Sequence, residues 1–333
     1  MLKELNLFVV LLLLFLLSTS CSEMNTNFDA RNQNTPILES QAGEAFNSSN
    51  RISFGVIPNM QDINKMLAEN GLNMRLSHAE TVTFGGGSNI AEGQTIFAND
   101  RTLRLPSQWV PGDTRRGADG NNLNYIIWGP FSLANFSTAD QVSGIPAIDA
   151  SFNTWNSVSK KPKLNIIKKP TTAANPSIIL GGNPFLADIS EIGFLPGALF
   201  DQVLEPGARD IVLGVTFTFV WVDENDNPTD INNDGFLDIA LKEVWYNDDF
   251  LWTTLGNNAD AIDIETVALH ENGHTLGLGH FGRIFITGER AGNIRLHVAP
   301  RAVMNAIILG TQRDLLGTDN ASYKSLYGDW PRN

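Results

Sequence analysis

The chain has 333 residues, 42% of them hydrophobic, and a formal net charge of −13. That is apolar material for one sizeable core, or for one domain with a smaller partner. The acidic balance argues against nucleic acid as a ligand, because phosphates call for a Lys/Arg-rich contact face.

At the N-terminus, Lys3 precedes an apolar run from Leu7 to Leu17, too short to span a bilayer and suited to the core of a secretory signal. Residues 1–20 are expected to be a signal peptide. Cys21, the only cysteine, follows "LLSTS" and resembles a bacterial lipoprotein signal, which would make it the lipidated mature N-terminus. Cleavage and free secretion is the alternative. Both readings export the protein, and membrane contact is expected only through a lipid on Cys21. Residues 21–50 are polar and aperiodic, as in a flexible tether.

From Asn59 to Gly71, Ile63, Met66 and Leu67 fall at helical spacing, with Gly71 as a stop. Strand-like pieces follow at Thr81–Phe84 and Gln94–Phe97. Residues 51–115 read as a small α+β pre-domain, possibly a prosegment, and residues 116–333 as the main domain. There, Ile148, Phe152 and Trp155 mark a helix. Arg209–Val222 is a strand with Val215, Phe217, Phe219 and Trp221 on one face, and Ile239–Tyr246 is its hairpin neighbour. A helix is predicted from Asp263 to Leu276, ended by Gly277. A last one runs from Asp319, at its N-cap, to Leu326.

Between the two strands, "DINNDGFLD" spaces oxygen donors at Asp230, Asn232, Asp234 and Asp238, with Gly235 permitting the turn and the Phe236 carbonyl as a further donor. This spacing suits a calcium loop at a hairpin tip. A solvated acidic turn is the alternative. An EF-hand is disfavoured, because Leu241 stands where its glutamate would be.

The chain owns five histidines, and three of them fall within "HENGHTLGLGH", His270 to His280. Residues four apart share a helix face, so His270 and His274 can hold one ion. Gly277 can take positive φ and turn the chain, which returns His280 as a third ligand. Three imidazoles leave one tetrahedral position open, the pattern of a catalytic zinc site. Glu271 lies beside that ion and suits a general base acting on water.

"HENGHTLGLGH" resembles the zinc motif of the metzincin metallopeptidases, and its surroundings resemble their matrixin branch. "RAVMNAI" resembles the methionine turn of that group, "AIDASFNTWNSV" its first catalytic-domain helix, and "LLGTDNASYKSLYG" its closing helix. The resemblance spans roughly residues 120–330. It implies an α+β catalytic domain with a twisted, mostly antiparallel or mixed sheet, an active-site helix and an irregular lower half. By the same likeness Met304 is a structural floor beneath the metal, and Asn305–Ile308 lines an apolar pocket after the scissile bond. Substrate is expected to lie along the cleft-edge strand. The stretch from His280 to Met304 is long for a matrixin, which suggests an extra loop flanking the cleft. A prosegment cysteine cannot supply latency here. "VPGD", Val110–Asp113, resembles the aspartate segment of the related astacins, making Asp113 a possible latency ligand.

The function expected from these readings is a monomeric zinc endopeptidase acting on extracytoplasmic proteins or peptides. The alternative is a catalytically idle metzincin-fold binding or adhesion protein of the cell envelope.

Overall fold

Val212–Trp221 alternates large apolar side chains with Gly214, Thr216 and Thr218, a pattern that suggests one wet face. Every residue of the strand is nevertheless buried. Val215, Phe217 and Phe219 enter one hydrophobic core, whereas Leu213 joins a second core on the opposite face. The small polar face is turned toward a helix and not toward water.

The computed structural model describes residues 60–84, 95–96, 104–116, 120–129, 144–158, 164–256, 261–287 and 295–331. The expected signal, tether and Cys21 lie outside them. The N-terminal part comprises α1 (Met60–Glu69), β1 (Met74–Phe84), β2 (Thr95–Ile96), β3 (Ser107–Gln108) and β4 (Leu123–Ile127). Next come α2 (Ile145–Asn156), β5 (Ile166–Lys168), β6 (Ile189–Leu195), α3 (Gly197–Val203), α4 (Ala208–Ile211), β7 (Val212–Trp221) and β8 (Leu237–Asn247). The remainder is β9 (Trp252–Thr253), β10 (Ile262–Asp263), α5 (Ile264–Thr275), β11 (Arg283–Thr287), β12 (Arg295–Ala299), β13 (Ile307–Ile308) and α6 (Gly317–Tyr327).

The fold is α+β, built on a mixed sheet of order β13-β1-β7-β8-β6-β4-β5, with β2 beside β1 and β3 beside β8. Strands β8, β6, β4 and β5 run parallel, and parallel neighbours need crossovers, of which α2 supplies one. β7 is antiparallel to both of its partners, β1 and β8. On one face, α2 and α5 bring Ile148, Phe152, Trp155 and Val267 against Leu213, Val244 and Tyr246. On the other, Ile63 and Leu67 of α1 and Phe200 of α3 meet Phe217, Phe219 and Trp245.

The expected boundary near residue 115 does not separate these elements. β1 pairs with β7 from Met74 opposite Trp221 to Thr83 opposite Val212. The segment that follows reaches the end of α5: Leu105 N donates to Gly277 O at 3.0 Å and Trp109 Nε1 to Thr275 O at 2.8 Å. The sequence pattern shortens β1 to its last four residues because Ser77, His78 and Glu80 interrupt the apolar run. His78 and Glu80 are buried, so the interruption does not mark a loop. The long stretch after His280 forms the antiparallel pair β11–β12. The last helix begins at Gly317, which puts Asp319 at its third position rather than at its N-cap.

Candidate metal centre

Helix α5 starts where Asp263 caps it, its carboxylate accepting from Thr266 N at 2.9 Å. Almost every residue of it is buried, as in a helix that crosses a core. His270 and His274 stand one turn apart on it. Gly277 then takes φ +77°, and a Cβ there would also meet Gln108 Oε1 at 2.7 Å. Glycine is thus required at this turn both by backbone conformation and by a neighbour. The chain turns and brings back His280.

The three Nε2 atoms converge: 3.0 Å separates His270 from His274, 3.2 Å His274 from His280, and 3.3 Å His270 from His280. Tetrahedral zinc with nitrogen ligands at its usual bond length would set these edges at about 3.3 Å. The outer nitrogens fix the tautomers. His270 Nδ1 lies 2.7 Å from Val303 O and His274 Nδ1 2.8 Å from Leu278 O, so each proton sits outside and each Nε2 lone pair points inward. Burial pushes the His270 and His280 pKa values down to about 3 and about 4, and lowers that of His274 too. Two Nε2 lone pairs thus point inward, and His280 Nε2 lies about one hydrogen-bond length from both. A cation is what this donor set fits, and soft-borderline nitrogen donors suit zinc. Among the described residues these are the one trio of His, Cys, Asp or Glu whose ligand atoms converge.

Glu271 sits beside them with no solvent exposure. Its Oε2 accepts from Thr216 Oγ1 at 2.6 Å, and the Val82 N–H also reaches its carboxylate. Gly214 lies against Oε1, where a Cβ would come within 2.9 Å. Burial drives the Glu271 pKa well above the usual carboxylate range, and the charges of Glu80 and Glu191 push the same way against the two hydrogen bonds. Glu80, from β1, places Oε2 3.7 Å from His280 Nδ1.

Met304 packs against α5 at Gly273, where a Cβ would collide with its Sδ. The turn that carries Met304 is held by Asp319, whose carboxylate accepts from Val303 N at 3.0 Å and Met304 N at 3.2 Å. Asn305 Nδ2 ties the turn to Phe281 O at 2.7 Å. Behind α5, Asn272 Nδ2 donates to Ser151 Oγ at 2.6 Å, and Tyr246 OH to Glu191 Oε2 at 2.9 Å. Asp319 was legible as a helix-start residue, but its hold on the methionine turn was not. Glu80, Val82, Thr216 and Glu191 carry no local motif.

Other expected site residues lie elsewhere. Asp113 is spent on Arg115, which reaches it through Nε and Nη2 and also binds Asp238 at 2.8 Å. It is not a member of the convergent trio. The Asp238 carboxylate takes that guanidinium, the Thr229 hydroxyl and Ile231 N. Asp230 instead accepts from Asp234 N and Gly235 N, and Asn232 donates to Asp234. The side chains of Asp230, Asn232 and Asp234 are thus tied to one another within the turn, while Asp238 faces Arg115. The pocket beside Asn305–Ile308 exists, lined by Val303, Asn305, Ile307, Ile308, Arg301 and Gln312 among others. It is partly polar, not the apolar pocket expected.

Residues 226–283 match the family model described as Matrixin, a stretch that contains β8, all of α5 and the three histidines. No curated protein sequence matches the chain. With the histidine triplet, this match makes the chain matrixin-like and consistent with a metzincin; the matched family is one of zinc metallopeptidases.

Proposed function

We propose that the protein is a zinc endopeptidase in which Glu271 is the general base. The carrying observation is the convergence of three Nε2 atoms within 3.3 Å of one another, beside the buried carboxylate of Glu271. Bound zinc supplies Lewis acidity, which acidifies water and polarises a carbonyl. Glu271 Oε2 is held by Thr216, whereas Oε1 has no hydrogen-bond partner among the described residues. Oε1 is thus the atom that takes the proton from the attacking water. Glu271 then passes that proton to the leaving amine. The substrate is a protein or peptide, and the Leu7–Leu17 run followed by Cys21 supports action outside the cytoplasm.

Complete burial of Glu271 also favours the second reading, an idle fold kept for binding. Glu271→Ala separates the two. The variant should retain zinc and lose casein cleavage by a factor of about 10²–10⁴. Equal cleavage by variant and parent would remove Glu271 from the mechanism.

A further inference from the structure

We propose that Glu191 is an un-ionised carboxylic acid joined by two hydrogen bonds to the Asn272 carboxamide, and that this pair positions the helix carrying the metal site. Its effect on hydrolysis rests on the peptidase reading, whereas the pair and its hold on the helix do not.

Glu191 falls on β6 between Ile189 and Phe194, both members of the core that includes Val267 and Leu269 of α5. A glutamate interrupts the apolar face there, and it has no solvent exposure. Its backbone is fixed inside the sheet, opposite Val244 of β8 and Ile127 of β4, and its carbonyl accepts from Trp128 N at 2.9 Å. Asn272 is equally buried; it follows Glu271 directly and lies midway between His270 and His274 on α5. Its Nδ2 donates to Ser151 Oγ of α2 at 2.6 Å, and the same amide reaches the Glu191 carboxyl. Ser151 gives its own proton to Ile148 O at 2.7 Å, so it accepts from Asn272. That settles which end of the Asn272 amide is nitrogen.

Two oxygens are left over. Glu191 Oε1 and Asn272 Oδ1 are buried without a hydrogen-bond partner among the described residues, although the two side chains are already bonded to each other. A carboxylate would set two acceptors side by side, each carrying the penalty of an unmade bond. One proton on Oε1 satisfies both. Oε1–H then donates to Asn272 Oδ1, while Oε2 accepts the second Asn272 amide proton together with the Tyr246 hydroxyl at 2.9 Å. Every donor of the pair is used and no acceptor is left empty. The groups that bear on the carboxyl are Tyr246 from β8, Asp149 from α2, and Glu271 and Asn272 from α5, and the charged ones among them are negative. Asp149 is itself held by Tyr125 and Lys168. Burial pushes the Glu191 pKa up to about 8, in keeping with the neutral form. The pair ties a fixed point of the sheet to the residue between two histidines of the trio. It thereby sets the rotation of α5 about its own axis, and with it the aim of His270, His274 and Glu271.

The experiment uses the full chain loaded with zinc, or with cobalt where a visible spectrum is read. At neutral pH the infrared spectrum of the parent should contain a protonated-carboxyl band that Glu191→Gln lacks, and the band should fade as pH rises through about 8. Asn272→Leu should displace this band without removing it, because the acid loses its acceptor. Glu191→Leu and Asn272→Leu, each verified as folded by its melting curve, should bind zinc roughly tenfold more weakly and alter the cobalt spectrum. Glu191→Gln should rescue both, since its amide donates to Asn272 Oδ1 and its oxygen still accepts from Tyr246. On a quenched peptide library, Glu191→Leu should lower kcat about tenfold with little change in KM, again rescued by Glu191→Gln. If parent and Glu191→Gln share the same infrared band at neutral pH, Glu191 is not the acid and the proposal falls. It falls equally if Glu191→Leu binds zinc as tightly as Glu191→Gln. The expected infrared and metal results with no hydrolysis by any form would uphold the pair and overturn the peptidase reading instead.

Discussion

Asp319 holds the carbonyl that holds His270. Its carboxylate accepts from Val303 N at 3.0 Å, and Val303 O in turn receives the outer nitrogen of His270 at 2.7 Å. A residue on the last helix thus sets the tautomer and aim of a ligand on the metal helix.

Asp319→Ala should weaken zinc affinity by roughly 10–100-fold, the range for loss of a group that orients a ligand. It should also lower stability by about 2 kcal/mol, since buried Val303 N and Met304 N lose their acceptor. Competitive zinc titration and urea melting measure the two effects. Lost stability with unchanged zinc affinity would uncouple the turn from the metal.

Gly273→Ala should destabilise the fold by about 1–3 kcal/mol, because the added methyl group enters space held by Met304 Sδ and comes within 3.0 Å of Trp155 Cζ2. Trimming the methionine frees part of that space. The double variant with Met304→Ala should lose less than the sum of the two single variants. Simple additivity in chemical melts would mean that the two residues do not press on each other.

Removing zinc with a chelator leaves three ring nitrogens facing one another. Zinc at a thousandfold excess over its dissociation constant should add about 4 kcal/mol to the stability of the intact chain. His280→Ala should lose most of that increment while melting close to the chelated parent. A melting temperature that ignores zinc in the parent would contradict the donor-set argument.

Glu191 gives a stability profile with a definite sign. Burial, only partly offset by hydrogen bonds from Tyr246 and Asn272, raises its pKa from the ordinary 4.5 of a glutamate to about 8. A raised folded-state pKa means that its contribution is complete below about pH 4.5 and is lost as pH climbs toward 8. The slope between those limits is at most about 1.4 kcal/mol per pH unit for one proton. Glu191→Gln should flatten that part of the curve, measured by urea melts across the range. An unchanged slope would assign the dependence to other groups.

The histidine trio, the glutamate beside it and the glycine turn were legible because they sit within eleven residues of one helix and its exit, where spacing alone determines which atoms can meet. Helix bounds followed from the same local signals: Asp263 and Gly277 mark the two ends of α5. β1 was legible only in its last four residues, because His78 and Glu80 look like surface positions until β7 and α5 are known to cover them. Pairing partners in a mixed sheet are set by contacts far apart in sequence, which no periodicity records. The same limit hid Arg115, whose guanidinium binds Asp113 nearby and Asp238, 123 residues further on.

The link from Asp319 to His270 also orders events in time. A growing chain presents His270, His274 and His280 well before it presents Asp319, so the outer nitrogen of the first ligand stays unguided until the final helix has been made. Firm zinc capture should therefore follow synthesis of the helix that carries Asp319. A chain halted after Leu316 should hold zinc as loosely as Asp319→Ala, and the tightness of metal retention then reports whether synthesis has passed that point.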